Sequence, residues 1–548
     1  MEVQQMLQSK PSHLRYDSLK SKIENGNILI PQFQRNFVWK KADAAKLLDS
    51  ILKGYPIGSF ILWETKSRLR SVKKIGNIDL PSAKSGESVY YVLDGQQRVT
   101  SIYVSICGLK VNKDDYSQLY VDLVAPEDQQ LIIMDVADRD PLEYITVSEL
   151  VTGDPFIIYN KFSSHPDLIT KISKYQKSFQ TYEFPTIEIT DADLDVATDI
   201  FTRINITGKS LDIFEIMCAK TYDEQQNFDL YEKREEQLLK WEEAEYSTIP
   251  HSSVLQAISV CLTGSCGKKQ ILNQIAKQDF ISIWPNIDDA FDRAIDYLKS
   301  ALGVKASKLI PYDGLIVPYV YYFYKHPNAP TDMENRYLKD YFWRCAISNR
   351  FSDGLESKIA QDCTHVMDVI LNGKTPVYEQ GVEVTTDFIE RNGTFSMGNA
   401  MIKGLLCLLV SRSPRSFKNN NTLVIDNDWL SQSNSKNYHH FFPRAYMKKE
   451  QPMIPENMVN HIANITIVDS YLNKGEIKAK APEEYMGVYY NSNPEIINTM
   501  KTHLIGDLDE FGVWDNNYPI FFKKRLEVIV NTLKAEMMLT EKDIIDED

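Results

Sequence analysis

The sequence contains few cysteines and no long apolar runs, and it has fewer basic than acidic residues. The seven cysteines are scattered without a Cys-x-x-Cys pair, so we expect buried reduced thiols rather than disulfides or a structural zinc site. No run of about 18 apolar residues occurs, and the first residues do not begin a signal peptide. We therefore expect a cytoplasmic protein that has no membrane partner.

Acidic residues outnumber basic ones, and the formal net charge is −14. That balance argues against indiscriminate binding to nucleic acid, although a local basic groove can still hold DNA. Any action on DNA should therefore be selective or need a trigger. The length of 548 residues suggests three or four folding units, and 43% hydrophobic with 25% charged residues is typical of a folded soluble protein.

A predicted apolar strand over residues 89–93 runs directly into a helix that continues through Cys107. The sequence Asp94-Gly95-Gln96-Gln97-Arg98 forms the turn between them. Free backbone N–H groups and the positive end of the helix dipole suit a phosphate at such a turn. Spacing alone equally allows a capped helix with a surface pair between Arg98 and Asp94. A third reading is that this turn binds DNA backbone instead of a nucleotide.

Three further motifs accompany this turn, and together the four resemble the GmrS-type N-terminal domain of GmrSD-like modification-dependent (type IV) restriction enzymes. The resemblance covers roughly residues 10–225. The motifs stand in the same order as in that domain: Ile30-Pro31-x-Phe33-Gln34-Arg35-x-x-x-Trp39, Tyr55-Pro56-Ile57-Gly58, Asp94-Gly95-Gln96-Gln97-Arg98 and Phe201-x-Arg203-Ile204-Asn205-x-x-Gly208-x-x-Leu211.

This resemblance implies a fold similar to the ParB/sulfiredoxin group and a nucleoside triphosphate bound or hydrolysed at Asp94, Gly95, Gln96, Gln97 and Arg98. The residues expected to sense or contact DNA are Gln34, Arg35, Trp39, Arg203 and Asn205. A plain helix connection with Arg203 in solvent is the structural alternative at the last of these motifs.

Residues 226–394 show mostly helical periodicity, and we expect a helical linker there. The aromatic run over residues 319–324 could stack bases, but a buried helix face explains it better. The acidic tail over residues 541–548 is expected to fray.

The stretch over residues 438–476 contains residue types that hydrolyse phosphodiesters. Neutral imidazole can take a proton from water, and a divalent ion held by imidazole and amide oxygen can supply positive charge. His439 and His440 are neighbours, so on a regular strand they point to opposite faces. They converge on one site only if the strand ends or bulges there, and Phe441-Phe442-Pro443 makes such a break plausible.

Asn464 at the start of a second strand and Asn473 at the start of a helix complete an order of strand, strand and helix. This order resembles the ββα-metal finger of HNH nucleases, within a GmrD-type domain over roughly residues 395–540. The resemblance implies that His440 is the general base, His439 and Asn473 are metal ligands, and Asn464 fixes the loop that carries the base. Many relatives have Asp or Glu in place of His439. His461 competes as a ligand but lies outside the matched spacing, so we expect it to be structural or to support the site indirectly.

Seven basic residues make this finger locally basic within an acidic protein, and we assign Arg444 and Lys474 to phosphate contact. The seven are Lys436, Arg444, Lys448, Lys449, Lys474, Lys478 and Lys480. A solvated charged face is the ordinary alternative.

The expected fold class is α+β with several domains: a ParB/sulfiredoxin-like N-terminal α/β domain (1–225), a helical linker (226–394) and a C-terminal HNH nuclease domain (395–548). The expected function is modification-dependent DNA cleavage in antiphage defence, with Mg²⁺ or Mn²⁺ and a nucleoside triphosphate as cofactors. The expected partner is double-stranded DNA, modified phage DNA in particular, and a homodimer stays open. The alternative is an NTP-hydrolysing, DNA-binding regulator whose HNH segment is weak or inactive.

Overall fold

The chain divides into two compact units, Met1–Leu230 and Tyr231–Asp548. The computed structural model describes residues 8–31, 37–66, 68–69, 71, 74–75, 78–81, 86–111, 113–190, 192, 194–204, 212–430, 438–468 and 472–545. The expected boundary at residue 225 lies close to the boundary between the units. Residues 231–394 and the segment from 395 onward belong to the same unit.

A five-stranded mixed sheet forms the centre of the first unit. Its strands lie in the order Gln8–Leu14, Phe184–Thr190, Phe60–Thr65, Val89–Asp94 and Ile28–Leu29. The first and third neighbouring pairs are antiparallel, and the second and fourth are parallel. Three smaller sheets accompany it. One has three strands, Ile132–Ile133, Tyr120–Asp122 and Tyr144–Thr146. The other two are the pairs Lys74–Ile75 with Ile78–Asp79 and Lys110–Val111 with Asp114–Asp115. The mixed α and β content expected for this part of the chain is therefore present.

The helices of the first unit cover this sheet through their apolar faces. The predicted helix over residues 42–53 is the helix Lys41–Leu52, which buries Ala45, Leu48 and Ile51 completely. The other described helices of this unit are Tyr16–Glu24, Gln96–Ile106, Val147–Thr152, Pro155–Phe162, Pro166–Thr181, Leu194–Ile204 and Ile213–Thr221, with a 3₁₀ turn at Tyr116–Gln118.

The second unit is mainly helical. Its described α-helices begin with Leu230–Glu243, which crosses the boundary, and continue with His251–Thr263, Lys268–Asn273, Lys277–Ser300, Ile316–Lys325, Asp332–Ile347, Leu355–Asp362, Asp368–Leu371, Thr386–Asn392, Ala400–Ser411, Arg444–Glu450, Glu456–Val459, Pro482–Ser492, Ile496–Thr502 and Tyr518–Glu536. Short π-helices lie at Cys363–Met367 and Leu472–Ile477, and 3₁₀ turns lie at Ser307–Leu309, Asp313–Leu315 and Ile462–Asn464.

Long-range packing joins the helical part of this unit to its C-terminal part. The helix Asp332–Ile347 packs against both Ala400–Ser411 and Tyr518–Glu536. Tyr319 and Tyr322 in the aromatic run are fully buried, which confirms that the run is a core helix face and not a stacking platform. No helix in the described residues has the length and apolar character that a bilayer crossing requires.

The acidic tail does not fray over its described part. Asp543 pairs with the buried guanidinium of Arg344 at 2.8 Å, and Ile544–Ile545 pairs in parallel with Glu383–Val384. The expectation of a frayed tail is therefore wrong up to residue 545, because a distant arginine compensates the charge that would otherwise favour water.

All seven cysteines are free thiols, and five of them are buried, as the sequence led us to expect. The buried cysteines are Cys218, Cys266, Cys345, Cys363 and Cys407.

Candidate functional site

Two antiparallel strands, Tyr438–His440 and Ile465–Ile467, form the sheet that carries the histidine pair. We call them the site strands. His439 lies opposite Thr466, and His440 lies opposite Ile465. Two short helices, Arg444–Glu450 and Glu456–Val459, lie between these strands along the chain, and the π-helix Leu472–Ile477 follows the second strand. The register is regular through His440, and neighbouring side chains therefore leave opposite faces of the sheet.

Asn464 holds the loop that follows the first site strand. Its Oδ1 accepts a hydrogen bond from the Phe442 N–H at 2.8 Å, and its Nδ2 donates to the Phe442 carbonyl at 3.0 Å and the Val459 carbonyl at 2.9 Å. The side chain is completely buried, so water could not replace Asn464 as the hydrogen-bond partner of these backbone groups. These contacts hold the loop at Phe442, and the role of Asn464 in a nuclease finger stays a prediction.

The imidazole of His440 is half-buried and bound to an amide. Its Nε2 lies 3.0 Å from Oδ1 of Asn460, and Nδ2 of Asn460 donates to the carbonyl of Phe395 at 3.2 Å. Burial lowers the pKa of His440 below its ordinary value of 6.5, although the hydrogen bond with Asn460 acts in the opposite direction. The ring is therefore neutral at pH 7, as a proton acceptor must be.

His439 lies on the other face, in the core. Its side chain is 2% exposed and packs edge-on against Phe417, at 6.3 Å between ring centroids, and Tyr485, at 5.8 Å. The expected convergence of His439 and His440 does not occur, because the chain leaves the strand only at Phe441, one residue after the pair. A strand that ended at His439 would have been needed to bring both rings to one side.

Within the described ranges, no three His, Cys, Asp or Glu side chains come close enough to hold a metal. Asn473 lies in the π-helix Leu472–Ile477, and its side chain is outside what the structure describes. The metal roles of His439 and Asn473 therefore stay predictions, and we derive no catalytic step through a metal.

His461 serves the fold. Its Nε2 lies 3.1 Å from the carbonyl of Ile389, and its Nδ1 accepts from the Ala463 N–H at 3.1 Å. Both ring nitrogens are thus engaged with backbone, and burial lowers the pKa of His461 to about 4. This histidine takes the structural role expected for it.

Arg444 begins the helix that follows the loop and forms an exposed ion pair with Glu456. The pair lies between the loop and the short helix that ends at Asn460. Surface pairs of this kind contribute little stability, so a phosphate could displace Glu456 at small cost. The side chain of Lys474 lies outside the described residues.

In the first unit, the strand Val89–Asp94 leads into the helix Gln96–Ile106, which we call the motif helix. The pairing of this strand with Phe60–Thr65 shifts by one residue between Ile61 and Leu62. Bulges of this kind turn a side chain toward a new direction. The shift lies opposite the end of the strand, where Asp94 and Gly95 begin the turn.

Arg98 joins two of the four N-terminal motifs. Its Nη2 lies 3.0 Å from Oδ2 of Asp94, and its Nη1 donates to the carbonyl of Ile57 at 2.7 Å. Gly95 has φ +91°, and a Cβ there would lie 2.6 Å from Cδ1 of Phe60. The turn therefore depends on glycine for its backbone angle and for the space that Phe60 occupies.

Gln97 joins a third motif to the same turn. Its Oε1 accepts hydrogen bonds from the backbone N–H groups of Val38 at 2.9 Å and Trp39 at 3.2 Å. The carbonyl of Trp39 accepts from the Tyr116 hydroxyl at 2.9 Å. Gln96 and Gln97 are both 8% exposed. Gln97 thus positions the end of the predicted sensing loop, whose Gln34 and Arg35 lie outside the described residues.

Comparison with known proteins agrees with these motifs. Residues 16–222 match the family described as the GmrSD restriction endonuclease, N-terminal domain. The first unit is therefore similar to the N-terminal domain of GmrSD-like restriction endonucleases. The uncharacterized protein MJ0686 of Methanocaldococcus jannaschii is 23% identical over 545 aligned residues, which cover 85% of each chain. Since 85% of the chain is far more than the GmrSD N-terminal domain, that similarity extends into the second unit.

The fourth motif of the GmrSD domain is described only in part. Arg203 is exposed in the last turn of the helix Leu194–Ile204, and Asn205 lies outside the described residues. The GmrSD match ends at residue 222, which directly follows the helix Ile213–Thr221.

Sequence reasoning missed Asn460, whose Oδ1 lies 3.0 Å from Nε2 of His440. The local sequence indicates only that Asn460 ends a short helix after Pro455, a position that suits asparagine. Its contact with His440 spans 20 residues and arises from the folding of the second unit, so no local pattern could have revealed it.

Proposed function

We propose that this chain is a modification-dependent DNA endonuclease of antiphage defence. In this proposal the GmrSD N-terminal domain senses modified DNA and a nucleoside triphosphate, and the site around His440 hydrolyses the phosphodiester. The similarity of residues 16–222 to the N-terminal domain of GmrSD restriction endonucleases supports the nuclease class and the DNA substrate. The observation that carries the cleaving role is the half-buried neutral imidazole of His440, presented beside a loop that Asn464 holds.

Hydrolysis of a phosphodiester requires one base and one source of positive charge. The water oxygen forms a bond to phosphorus as the water gives a proton to His440, the P–O bond to the leaving oxygen breaks, and the leaving oxygen takes a proton from solvent water. Arg444 lies at the start of the helix after this loop, where its guanidinium can bind a phosphate oxygen. The cleavage assay tests whether the reaction requires the expected divalent ion, Mg²⁺ or Mn²⁺.

The sensing role rests on the turn at Gly95. Glycine has no side chain with which to cap the motif helix, so the first N–H groups of that helix can face a phosphate. Arg98 adds positive charge there while it holds Asp94 and the carbonyl of Ile57. Because Gln97 binds the backbone of Val38 and Trp39, a nucleotide at this turn would lie next to the predicted DNA-reading loop.

The test is a cleavage panel with the full-length protein. Modified phage DNA and unmodified plasmid are incubated with Mg²⁺, Mn²⁺ or EDTA, each with and without nucleotide. We expect cleavage of modified DNA by the wild type and loss of cleavage in His440→Ala. His365→Ala removes an exposed histidine of the same unit and is the matched control. Cleavage by His440→Ala at the wild-type rate would overturn the assignment.

A second candidate is an NTP-hydrolysing regulator that binds DNA without cutting it. The burial of His439 between Phe417 and Tyr485 favours it, because a metal site that needs this ring would be incomplete. This candidate predicts phosphate release without DNA cleavage, abolished by Arg98→Ala. Calorimetric titration with nucleotide and with DNA then separates nucleotide binding at the turn from binding of DNA backbone.

A further inference from the structure

Asn460 is fixed at both its backbone and its side chain. It follows the short helix Glu456–Val459, where its N–H donates to the carbonyl of Glu456 at 2.8 Å. Its own carbonyl accepts from the Phe395 N–H at 2.8 Å, and its Nδ2 donates to the Phe395 carbonyl at 3.2 Å. The amide plane therefore has a defined position before His440 is considered.

The partners of this amide decide which of its two ends faces His440. A backbone carbonyl only accepts hydrogen bonds, so the end of the Asn460 amide that faces Phe395 must be the NH₂ group. The oxygen then points to Nε2 of His440, 3.0 Å away. Because that oxygen also only accepts, the His440 nitrogen facing it must carry the hydrogen.

A neutral imidazole has one N–H, and with the hydrogen on Nε2 the lone pair lies on Nδ1. Catalytic histidines commonly depend on a hydrogen bond at one ring nitrogen to set the role of the other. Asn460 is placed to do this for His440, from a segment outside both site strands. Phe395 anchors it in turn, beside the bridge between Thr394 and His461.

We propose that Asn460 is a positioning residue that fixes His440 as the Nε2–H tautomer and directs Nδ1 to the water that attacks the phosphodiester. The role as base rests on the proposed nuclease function, whereas the tautomer can be measured without any substrate.

The structural half of the proposal is tested by ¹⁵N NMR of the histidine rings in the full-length protein labelled with ¹⁵N-histidine. The His440 signals are assigned by their absence in His440→Gln. We expect the wild type to show a protonated Nε2 and an unprotonated Nδ1, and Asn460→Ala to show both tautomers. A wild-type His440 with its hydrogen on Nδ1 would overturn the proposal.

The catalytic half is tested by cleavage kinetics. We expect Asn460→Ala to lower kcat about 10- to 100-fold with little change in KM, because the variant misorients the base but leaves the affinity for DNA unchanged. Asn460→Asp keeps an accepting oxygen toward Nε2 while it loses the donor to Phe395, so it should retain the Nε2–H tautomer and most of the activity. Equal losses in the two variants would mean that Asn460 only supports Phe395, which overturns the positioning role.

Asn493→Ala is the matched control. Asn493 is 4% exposed, and its Nδ2 donates to a phenylalanine carbonyl, that of Phe417, at 2.8 Å. It therefore reports what the loss of a buried amide costs this unit, and a kcat as low as that of Asn460→Ala would contradict the proposal. A wild type that cuts no DNA but shows the Nε2–H tautomer would refute the nuclease function and leave the assigned tautomer standing.

Discussion

A Cβ atom added to Gly58 would lie 2.4 Å from Nη1 of Arg98. The same guanidinium nitrogen donates to the carbonyl of Ile57, so the Tyr55-Pro56-Ile57-Gly58 motif and the Asp94–Arg98 turn form one piece of structure. Gly58 also has φ +83°, a conformation that residues with a side chain rarely adopt. The glycine therefore provides both the turn and the space for the arginine.

We expect Gly58→Ala to lower the free energy of unfolding of the first unit by about 2 to 3 kcal/mol, since it adds a clash with Arg98 to the cost of the backbone angle. Gly54→Ala is the control, because Gly54 has φ +70° and nothing within 4 Å of its Cβ position. That variant should lose only about 1 kcal/mol. Urea unfolding of both variants measures the difference, and equal losses would show that Arg98 simply moves away.

We expect Asn464→Ala to lower the free energy of unfolding of the second unit by about 2 to 4 kcal/mol and to abolish cleavage. The variant leaves the Phe442 N–H and two carbonyls, those of Phe442 and Val459, buried without their partner. Asn498→Ala is the control, since Asn498 is exposed and its Nδ2 donates to Glu495. Denaturant unfolding and the cleavage assay check the prediction, and full activity in Asn464→Ala would contradict it.

We expect the second unit to lose stability as the pH falls from 7 to 5. Burial lowers the pKa of His461 and of His503 from the ordinary 6.5 to about 4. Below pH 6.5 these histidines therefore bind protons in the unfolded chain but stay unprotonated in the folded chain. The stability that is present above pH 6.5 is lost as the pH approaches 4. Each histidine contributes roughly 1 to 3 kcal/mol to this loss.

A variant of one histidine separates its contribution from those of the other titrating groups. The pKa of Asp543 lies below its ordinary value of 3.8, so its own contribution starts to disappear only below the tested window. The lowered pKa of His440 acts with the same sign as His461 and His503. Urea unfolding at several pH values should give a smaller slope for His503→Gln than for the wild type. An unchanged slope would show that His503 does not stay neutral in the folded unit.

We expect Arg525→Leu to lower the free energy of unfolding by about 3 to 5 kcal/mol. The buried guanidinium donates to the carbonyls of Ala463 at 2.8 Å, Ile465 at 2.5 Å and His503 at 3.1 Å, and it thereby fixes the start of the second site strand. Arg293→Ala removes a half-exposed arginine that pairs with Asp289 and donates to the carbonyl of Pro327, and it should cost less than Arg525→Leu. Comparable losses in calorimetric unfolding would refute the role of Arg525.

The sequence by itself determined the local elements and the family of the N-terminal domain. The helix over residues 42–53 and the strand before Asp94 were predictable because their apolar spacing and the glycine that ends or begins each turn are local properties. The four motifs likewise sufficed for the GmrSD-like resemblance that the match over residues 16–222 bears out. The two site strands and the helical turn after the second were also readable from local patterns, whereas the two short helices between the strands were not.

Only the tertiary structure decided which of these residues meet. Regular pairing through His440 sends His439 into the core, Gln97 binds the backbone of a loop almost 60 residues away, and Asn460 reaches His440 across 20 residues. Arg344 likewise binds Asp543 in the acidic tail, whose composition alone predicts a solvated segment. Local spacing records the period of a helix or strand, whereas these contacts depend on the burial of side chains and on hydrogen bonds between distant segments, which no short stretch of sequence contains.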